Sequence, residues 1–393
     1  MLAYLLKFQS WEGEMKKTFL GAVFVAILSF SFLGPANAAD PIRVGICKPF
    51  SGPVGFIGQD LKPGFEMALE EINGAGGVLG RPLALYYADN QCNPTEGVNA
   101  ARKLIDLDKV SVIIAGACSS ATLPIMPIIQ EAKIPMLTLS ATSPRITQMS
   151  GKGGNIWEFR LNVDDSIMAK TYSKVIAEKA KKVVMVAANN DWGRGAVKAY
   201  SEEFKPLGVT LMSAEYFEQG QSDYRPSLTK VKGMRPDALL LIMESRDASV
   251  LVRQMKEIGF RPQIFARGSV VTTEFAKAIQ DDCSMGDGIM EATLNAFGAN
   301  PEFDQKFEKK YGQKPHLHGG IGYTGLNVLA KAIQLGGKAE PQAIRQGLKD
   351  LAYMDKTMGP IKFDEYNQAH TSMFITVMQN CQVKLLKIVP THQ

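Results

Sequence analysis

The chain has 393 residues, of which 46% are hydrophobic and 21% charged, a composition typical of a globular protein long enough for two domains. The formal net charge is only +5, and lysine and arginine are spread along the chain instead of forming the basic stripe of a nucleic-acid-binding surface. We therefore expect an ordered protein with no nucleic-acid partner.

The N-terminus shows the pattern of a secretory signal peptide at 15–38. Two lysines at 16–17 precede the apolar stretch 18–33, and small residues lead to a cleavage position near Ala39. The apolar stretch is shorter than the roughly 20 residues of a membrane span, and no cysteine follows it to carry a lipid anchor. We expect translation to start at Met15 and the mature protein to be soluble in the periplasm.

Strand and helix patterns alternate from residue 42 onward. Short β-branched runs predict strands that are buried on both faces, and the segments between them carry apolar residues at helical spacing. The expected strands lie at 42–46, 83–87, 110–115 and 135–139, and the expected helices lie around 61–72, at 94–106 and from 119 to 132. This βαβα order predicts a parallel sheet covered by helices on both faces.

A second series of the same kind follows 160–162. The expected strands lie at 182–188, 209–216, 238–243 and 263–266, and the expected helices at 165–179, from 193 onward, at 224–234 and at 247–258. Beyond 288–291 the pattern changes to helices and then to β-rich segments. The expected helices lie at 301–311, 321–335 and 341–351, and the β-rich segments around Ile361, Phe374 and Val383.

These patterns predict an α/β fold of two doubly wound parallel-sheet lobes joined by a multi-crossover hinge. The late helical block has too few strands for a third domain, so we expect it to return to the first lobe. The first lobe then comprises 42–161 and 295–357, and the second lobe comprises 162–294 and 358–393. Ligands of such folds bind at the carboxyl ends of the strands, here in the cleft between the lobes.

The turn Cys118-Ser119-Ser120 joins a predicted strand to a predicted helix start. The first turn of a helix has backbone N–H groups without intrahelical partners, and the two serine hydroxyls add further donors. This pattern favours a site for a small anion such as a carboxylate. The alternative is that Ser119 or Ser120 only caps the helix.

Five cysteines in an exported protein raise the question of pairing. Cys92 and Cys118 each follow a predicted strand at the same edge of the sheet, so we expect them to form a disulfide that fixes the turn. Cys47 is expected to be buried and unreactive. Cys283 and Cys381 could also pair, but the sequence offers no geometric reason for that bond, so thiol counting is expected to give three free cysteines.

The chain resembles the periplasmic solute-binding proteins of ABC transporters for branched-chain amino acids, the Leu/Ile/Val type. The most specific stretch is INGAGGVLGRPL at 72–83, and shorter matches occur in the same order at 51–53, 89–94, 118–120 and 190–193. The resemblance covers nearly the whole mature chain. It implies the type I periplasmic-binding-protein (Venus-flytrap) fold, a monomer, a small carboxylate-bearing ligand, a membrane permease as partner and no cofactor.

The resemblance also implies which residues contact the ligand. Proteins similar to this chain hold a ligand carboxylate at the position of Ser119, beside Ser120, and with the loop Ser140-Ala141-Thr142. Thr142 matches a hydroxyl residue that contacts both ends of an amino acid. Ser140 matches a position whose backbone carbonyl accepts from an ammonium.

The second lobe departs from the pattern of the family. Trp192 occupies the place of a tyrosine that closes over the ligand, which keeps an aromatic lid but exchanges a hydroxyl for an indole N–H. Arg267 and Gly268 lie where amino-acid binders usually have an acidic partner for the ammonium. These substitutions leave open an amino acid, an amide or an aromatic carboxylate as the ligand, with Arg267 either in the cleft or on the surface.

Glu244 is the residue that could replace the missing negative charge, because it ends the strand at 238–243. A buried ammonium without a counter-charge is costly, so an amino-acid ligand requires Glu244 to face the cleft. The alternative is a solvated ion pair of Glu244 with Arg246 or Arg253.

Catalysis has no visible site in the sequence. His316 and His318 lie in a Pro/Gly-flanked segment that we expect to be a solvated loop without a third metal ligand, and Asp164-Asp165 are expected to cap a helix. Metalloprotease, nucleotide-binding and hydrolase motifs are absent from the sequence. We therefore expect a binding protein and not an enzyme, with a sensor subunit as the alternative to a transport component.

Overall fold

The computed structural model describes residues 40–391. The signal peptide predicted at 15–38 and the expected start at Met15 lie outside the described residues. From residue 41 onward, the chain is organised around two sheets and a short two-stranded ribbon.

The first sheet has five parallel strands in the order β2-β1-β3-β4-β5. Strands β3 and β4 are buried on both faces, as expected for β-branched and apolar runs in a parallel sheet. The strands are β1 (Ile42–Lys48), β2 (Leu83–Asp89), β3 (Val112–Ala115), β4 (Met136–Thr138) and β5 (Glu158–Arg160).

Five helices connect the strands of the first sheet. The second of them begins at a capping side chain, because Asn93 accepts from the backbone N–H groups of Thr95 and Glu96. It continues into a π-helical turn at Lys103–Leu107. The helices are α1 (Phe56–Gly74), α2 (Pro94–Arg102), α3 (Ser119–Thr122), α4 (Ile125–Ala132) and α5 (Pro144–Met149).

The second sheet has seven strands in the order β14-β13-β10-β9-β8-β6-β7. The strands from β10 to β7 pair in parallel, whereas β13 pairs antiparallel with both β10 and β14. The strands are β6 (Lys182–Ala188), β7 (Thr210–Phe217), β8 (Ala238–Glu244), β9 (Gln263–Ser269), β10 (Met290–Thr293), β13 (Met373–Gln379) and β14 (Gln382–Val389).

The helices that accompany the second sheet precede three late helices and the ribbon. The first group is α6 (Asp165–Ala177), α7 (Asp191–Phe204), α8 (Arg225–Met234), α9 (Ser245–Glu257) and α10 (Thr273–Ala278). The late group is α11 (Pro301–Tyr311), α12 (Leu317–Gly336) and α13 (Pro341–Lys349), followed by the ribbon of β11 (Ala352–Asp355) and β12 (Gly359–Lys362).

The late helices return to the helices of the first sheet, since α12 packs along α1. The two backbones approach so closely that a Cβ atom on Gly64 would lie 2.0 Å from the carbonyl oxygen of Gly319. After the ribbon, the ring of Phe363 packs on Phe159 of β5, and the chain then enters β13 of the second sheet. The limits of the two lobes, in particular the one between 357 and 358, stay a prediction.

One expected helix was wrong, and three short elements were not predicted. The helix expected from 119 to 132 is two helices, because Pro124 has no N–H to donate and instead precedes the first residue of α4. Strand β5 and the short helices α5 and α10 were not predicted. They are only three to six residues long, which is too short for a periodic pattern to be recognised.

The described residues contain two disulfides. Cys92 and Cys118 form the expected bond, which ties the end of β2 to the start of α3. The expectation of three free thiols was wrong, because Cys283 is bonded to Cys381, and Cys47 is the one free and buried cysteine among the described residues. Between residues 40 and 391, no helix combines the length and the apolar character needed to cross a membrane.

Candidate functional site

A small cavity lies between the two sheets, where the carboxyl ends of their strands face each other. Six of the nine residues predicted to contact a ligand line it: Ser140, Thr142, Trp192, Glu244, Arg267 and Gly268. We call Ser140 and Thr142, which follow β4, the first wall. We call Trp192, Glu244, Arg267 and Gly268, which lie at or after the ends of β6, β8 and β9, the second wall.

The hydroxyls of the first wall are both engaged. Ser140 Oγ donates to the carbonyl of Gly116 at 2.9 Å, and Thr142 Oγ1 donates to Asp165 Oδ2 at 2.9 Å. The same Gly116 carbonyl also accepts from Lys48 Nζ at 2.6 Å. The side chain of Lys48 is completely buried, and burial lowers its pKa to about 7.

Ser119, Ser120 and Ala141 are not among the residues that line the cavity. Ser119 is buried, and its Oγ accepts from the backbone N–H of Ser143 at 3.1 Å. Ser120 points its hydroxyl toward the carbonyl of Cys92 at 3.5 Å, and Ala141 packs in the core below the loop. In this arrangement Ser119 fixes the loop after β4, and its own contact with a ligand stays a prediction.

Arg160 is a residue that the sequence did not single out, and it holds the loop after β4 from behind. Its guanidinium is fully buried and donates to the carbonyls of Ala141 and Ser143 at 3.1 and 2.9 Å. It also forms an ion pair with Asp164 at 3.2 Å and donates to Gln368 Oε1 at 2.7 Å. In the sequence, only the spacing of four between Arg160 and Asp164 hints at this ion pair, and the same spacing is common in surface ion pairs.

Asp165 connects the two walls. Of the expected capping pair, Asp164 does cap α6 by accepting from the N–H of Ile167, but Asp165 has another role. Its Oδ1 accepts from Arg267 Nε at 2.8 Å, while its Oδ2 accepts from Thr142. Burial raises the pKa of Asp165, and the positive charge of Arg267 opposes that shift.

Arg267 is therefore not a surface residue, because its side chain is only 3% exposed. The ion pair with Asp165 neutralises its charge, but Nη2 has no hydrogen-bond partner among the described residues. Since Arg267 also lines the cavity, one buried donor on the second wall is left unsatisfied.

Glu244 faces the cavity and is buried, so the alternative of a solvated ion pair was wrong. Arg253, one of its two expected partners, pairs instead with Asp281. Burial raises the pKa of Glu244, whereas the neighbouring His318 and Arg267 oppose the shift. Its Oε2 has no hydrogen-bond partner within the described chain.

Gly268 makes room for the aromatic residue of the second wall. Its φ of +139° lies in a region that favours glycine. A Cβ atom at this position would lie 2.2 Å from the carbonyl oxygen of Met243 and 3.0 Å from Trp192 Cη2. Gly268, one of the two residues at the place where the resemblance implies an acidic side chain, therefore leaves room for the indole of Trp192 in the cavity wall.

Glu291, which no sequence motif marks, anchors the loop that follows Gly268. Its two carboxyl oxygens accept from the backbone N–H groups of Val270 and Val271 at 3.0 and 2.7 Å. Burial raises the pKa of Glu291 to about 7, although both N–H donors favour the ionised form.

The expectation of a solvated loop at His316 and His318 was wrong. His316 immediately precedes α12 and contacts Glu274 of α10, and His318 is buried beside Phe56. Helix α10, which was not predicted, covers this segment. His318 also lines the cavity, together with the apolar side chains of Ile57, Leu317 and Ile321.

The cavity volume is about 30 Å³, which corresponds to about two water molecules. An amino acid or an aromatic acid is larger, so its binding requires the walls to separate or side chains to move. The site therefore combines hydroxyl, acidic, basic and apolar side chains in a space that must open for a ligand to enter.

Comparisons with known proteins agree with this architecture. The family model described as periplasmic binding protein matches residues 41–382. The leucine-, isoleucine-, valine-, threonine- and alanine-binding protein of Pseudomonas aeruginosa is 29% identical over 353 residues, with 88% of this chain and 92% of that protein covered.

Two solved structures share the fold. The leucine binding protein LivK of Thermotoga maritima is 26% identical, with a TM-score of 0.80 over 89% of this chain and 99% of that one. A solute binding protein of an ABC transporter from Rhodopseudomonas palustris in complex with 3,4-dihydroxybenzoic acid has a TM-score of 0.79 and 20% identity over 90% and 98% of the two chains; at this identity the likeness concerns the fold. The chain belongs to the periplasmic binding protein family.

Proposed function

We propose that this protein is the extracytoplasmic solute-binding component of an ABC importer and that it binds an amino acid of the branched-chain type. The observation that carries this proposal is the pair of unpartnered polar atoms on the second wall. Glu244 Oε2 is an acceptor and Arg267 Nη2 is a donor, so the ligand that fits must supply both a donor and an acceptor.

A zwitterionic amino acid supplies both groups. Thr142 and Arg267 both bond Asp165, so the two residues lie close together. A ligand carboxylate that accepts from Arg267 Nη2 leaves the ammonium to donate to Glu244. An aromatic acid without an ammonium would leave Glu244 Oε2 unpaired, at a cost of about 1–3 kcal/mol. The apolar side chains of Ile57, Leu317 and Ile321 suit an aliphatic side chain.

Binding proceeds by closure of two lobes in this proposal. The lobes are 42–161 with 295–357 and 162–294 with 358–393, and the ligand first contacts Ser140 and Thr142 on the first wall. The second wall then brings Trp192 and Glu244 across the ligand. Closure is favoured because only the closed form contacts the ligand from both sides.

An aromatic carboxylate is the second candidate, and Trp192 is the observation that favours it. The indole lines the cavity and offers a flat surface for a ring. The two candidates differ at Glu244, whose Oε2 needs a hydrogen-bond donor. An amino acid supplies an ammonium there, and an aromatic acid without an amino group does not.

The family and the predicted signal peptide support a periplasmic location. In this proposal the protein acts as a monomer, has no catalytic activity of its own, and delivers its ligand to membrane permease subunits, which themselves depend on ATP. A sensor role uses the same closure, and growth of a deletion strain on the ligand at low concentration distinguishes transport from sensing.

The test is a thermal-shift and calorimetric survey of the mature protein. The ligands are leucine, isoleucine and valine, 4-methylpentanoate, benzoate, 3,4-dihydroxybenzoate and acetamide. We expect the branched-chain amino acids to raise the melting temperature most, since a ligand stabilises the state that it binds. Stabilisation by acetamide but by no carboxylate would contradict the proposal, and stabilisation by the two benzoates alone would establish the second candidate.

A further inference from the structure

Three side chains of the kinds that bind metal ions lie together outside the cavity. They come from the two halves of the molecule, by which we mean the two lobes, each with its sheet and helices. Asp60, Glu274 and His316 each offer one ligand atom, and these three atoms lie within 4.8 Å of one another. Asp60 belongs to α1 and His316 immediately precedes α12, and these two helices pack together. Glu274 belongs to α10, which packs on α9 of the second sheet.

The chemistry of the cluster differs from that of an ordinary surface ion pair. Two carboxylates surround one imidazole, so two negative charges face at most one positive charge on His316. His316 Nδ1 lies 3.9 Å from Asp60 Oδ2 and contacts Glu274 Oε1 directly. The hydroxyl of Thr273 adds a neutral oxygen 2.8 Å from the same nitrogen.

The three ligand atoms lie within 4.8 Å of one another, so small side-chain movements bring them to the spacing of a metal site. Ligand atoms at the corners of a tetrahedron are about 3.3 Å apart when the metal–ligand bonds are about 2.0 Å long. One imidazole nitrogen and two carboxylate oxygens suit Zn²⁺ and related divalent transition metals, with water completing the coordination. The three side chains are between 14 and 29% exposed, so solvent and ions can reach them.

We propose that Asp60, Glu274 and His316 form a binding site for a divalent transition-metal ion that bridges the two halves of the protein. Two ligands come from the α1/α12 pair and one from α10, so the complete site exists only when the halves are together. A bound ion therefore stabilises the closed arrangement, and this effect is independent of which solute occupies the cavity.

The experiment is a competition titration of zinc against a chromophoric chelator, with untagged mature protein freed of metal beforehand. We expect one zinc ion per protein molecule. The variants Glu274→Gln, His316→Ala and Asp60→Asn are each expected to weaken zinc binding at least about tenfold, because a three-ligand site loses one of its ligands. Circular dichroism checks that each variant is folded. Because the three substitutions lie in separate elements, the conclusion does not depend on any one variant that fails to fold.

The matched control is Asp364→Asn. Asp364 pairs with His370 at 2.9 Å. This pair also joins a carboxylate to an imidazole, but it belongs to no group of three potential metal ligands among the described residues. Its removal is expected to leave zinc affinity unchanged. The proposal is overturned if the wild-type protein binds no zinc stoichiometrically, or if Asp364→Asn weakens binding as much as the three cluster variants do.

Discussion

The two walls of the cavity differ in how far their polar groups are already hydrogen-bonded. In the first wall, the hydroxyls of Ser140 and Thr142 both donate to protein acceptors. In the second wall, Glu244 and Arg267 each keep one polar atom without a partner among the described residues. An unsatisfied buried polar atom costs about 1–3 kcal/mol. The hydroxyl donors of the first wall therefore already have acceptors. The second wall gains more free energy from a ligand, because a ligand can bond its two unpartnered atoms. Selectivity is therefore expected to depend mainly on the second wall.

Loss of the buried ion pair between Asp165 and Arg267 of the second wall is expected to have the largest effect on stability. Asp165→Asn leaves the buried charge of Arg267 without its counter-charge, and we expect a loss of about 3–5 kcal/mol in the free energy of unfolding. Urea denaturation measures this loss.

The control for Asp165 is Asp191→Asn. Asp191 pairs with Arg145 at 2.9 Å, but both side chains are substantially exposed, so the expected loss is below about 1 kcal/mol. Equal losses for the two variants would mean that the buried Asp165–Arg267 pair contributes no more to stability than an exposed ion pair does.

The second prediction concerns a buried carboxyl group behind the first wall. Burial raises the pKa of Glu158 on β5 to about 8 from an ordinary value of 4.5. Between these values the folded state holds one more proton than the unfolded state, so the free energy of unfolding falls as the pH rises, by up to about 1.4 kcal/mol per pH unit. Glu158→Gln cannot ionise and removes this dependence.

The measurement compares wild type and Glu158→Gln by urea unfolding at pH 5 and pH 8. We expect the stability of the variant relative to wild type to be clearly greater at pH 8. Glu365→Gln, which changes a carboxylate that is 61% exposed, serves as the control and should show the same offset at both pH values. A pH-independent offset for Glu158→Gln would show that Glu158 ionises normally.

Gly268 is expected to be needed for the packing of Trp192 in the second wall. Gly268→Ala forces a side chain into a positive-φ conformation and against Met243 and Trp192, and we expect a loss of about 1–3 kcal/mol together with a changed tryptophan fluorescence spectrum. Gly288 is the matched control, because its φ is +80° but a Cβ atom there meets nothing within 4 Å. A fluorescence change of the same size in Gly288→Ala would argue against contact between residue 268 and Trp192.

The alternation of strands and helices could be read from the sequence because long apolar runs and helical periodicity extend over many residues. The helices at 301–311 and 341–349 and the strand at 182–188 are examples. The break at Pro124 and the segments β5, α5 and α10 were missed because they depend on few residues and on tertiary contacts.

The site was harder to predict than the fold. The resemblance implied ligand contacts at Ser140, Thr142 and Trp192, and all three line the cavity. It gave no information on Asp165, Arg160 or Glu291, since their importance depends on partners up to 208 residues away in the sequence. Spacing in the sequence cannot reveal such ion pairs and backbone contacts.

Calorimetry of Glu244→Gln with two ligands tests the claim that the second wall selects a zwitterion. The ligands are leucine and 4-methylpentanoate, which is leucine without its amino group. We predict that the substitution weakens leucine binding at least about tenfold, or about 1.4 kcal/mol, and changes the affinity for 4-methylpentanoate less than about twofold. Equal weakening of both ligands, or unchanged leucine binding, would contradict the claim.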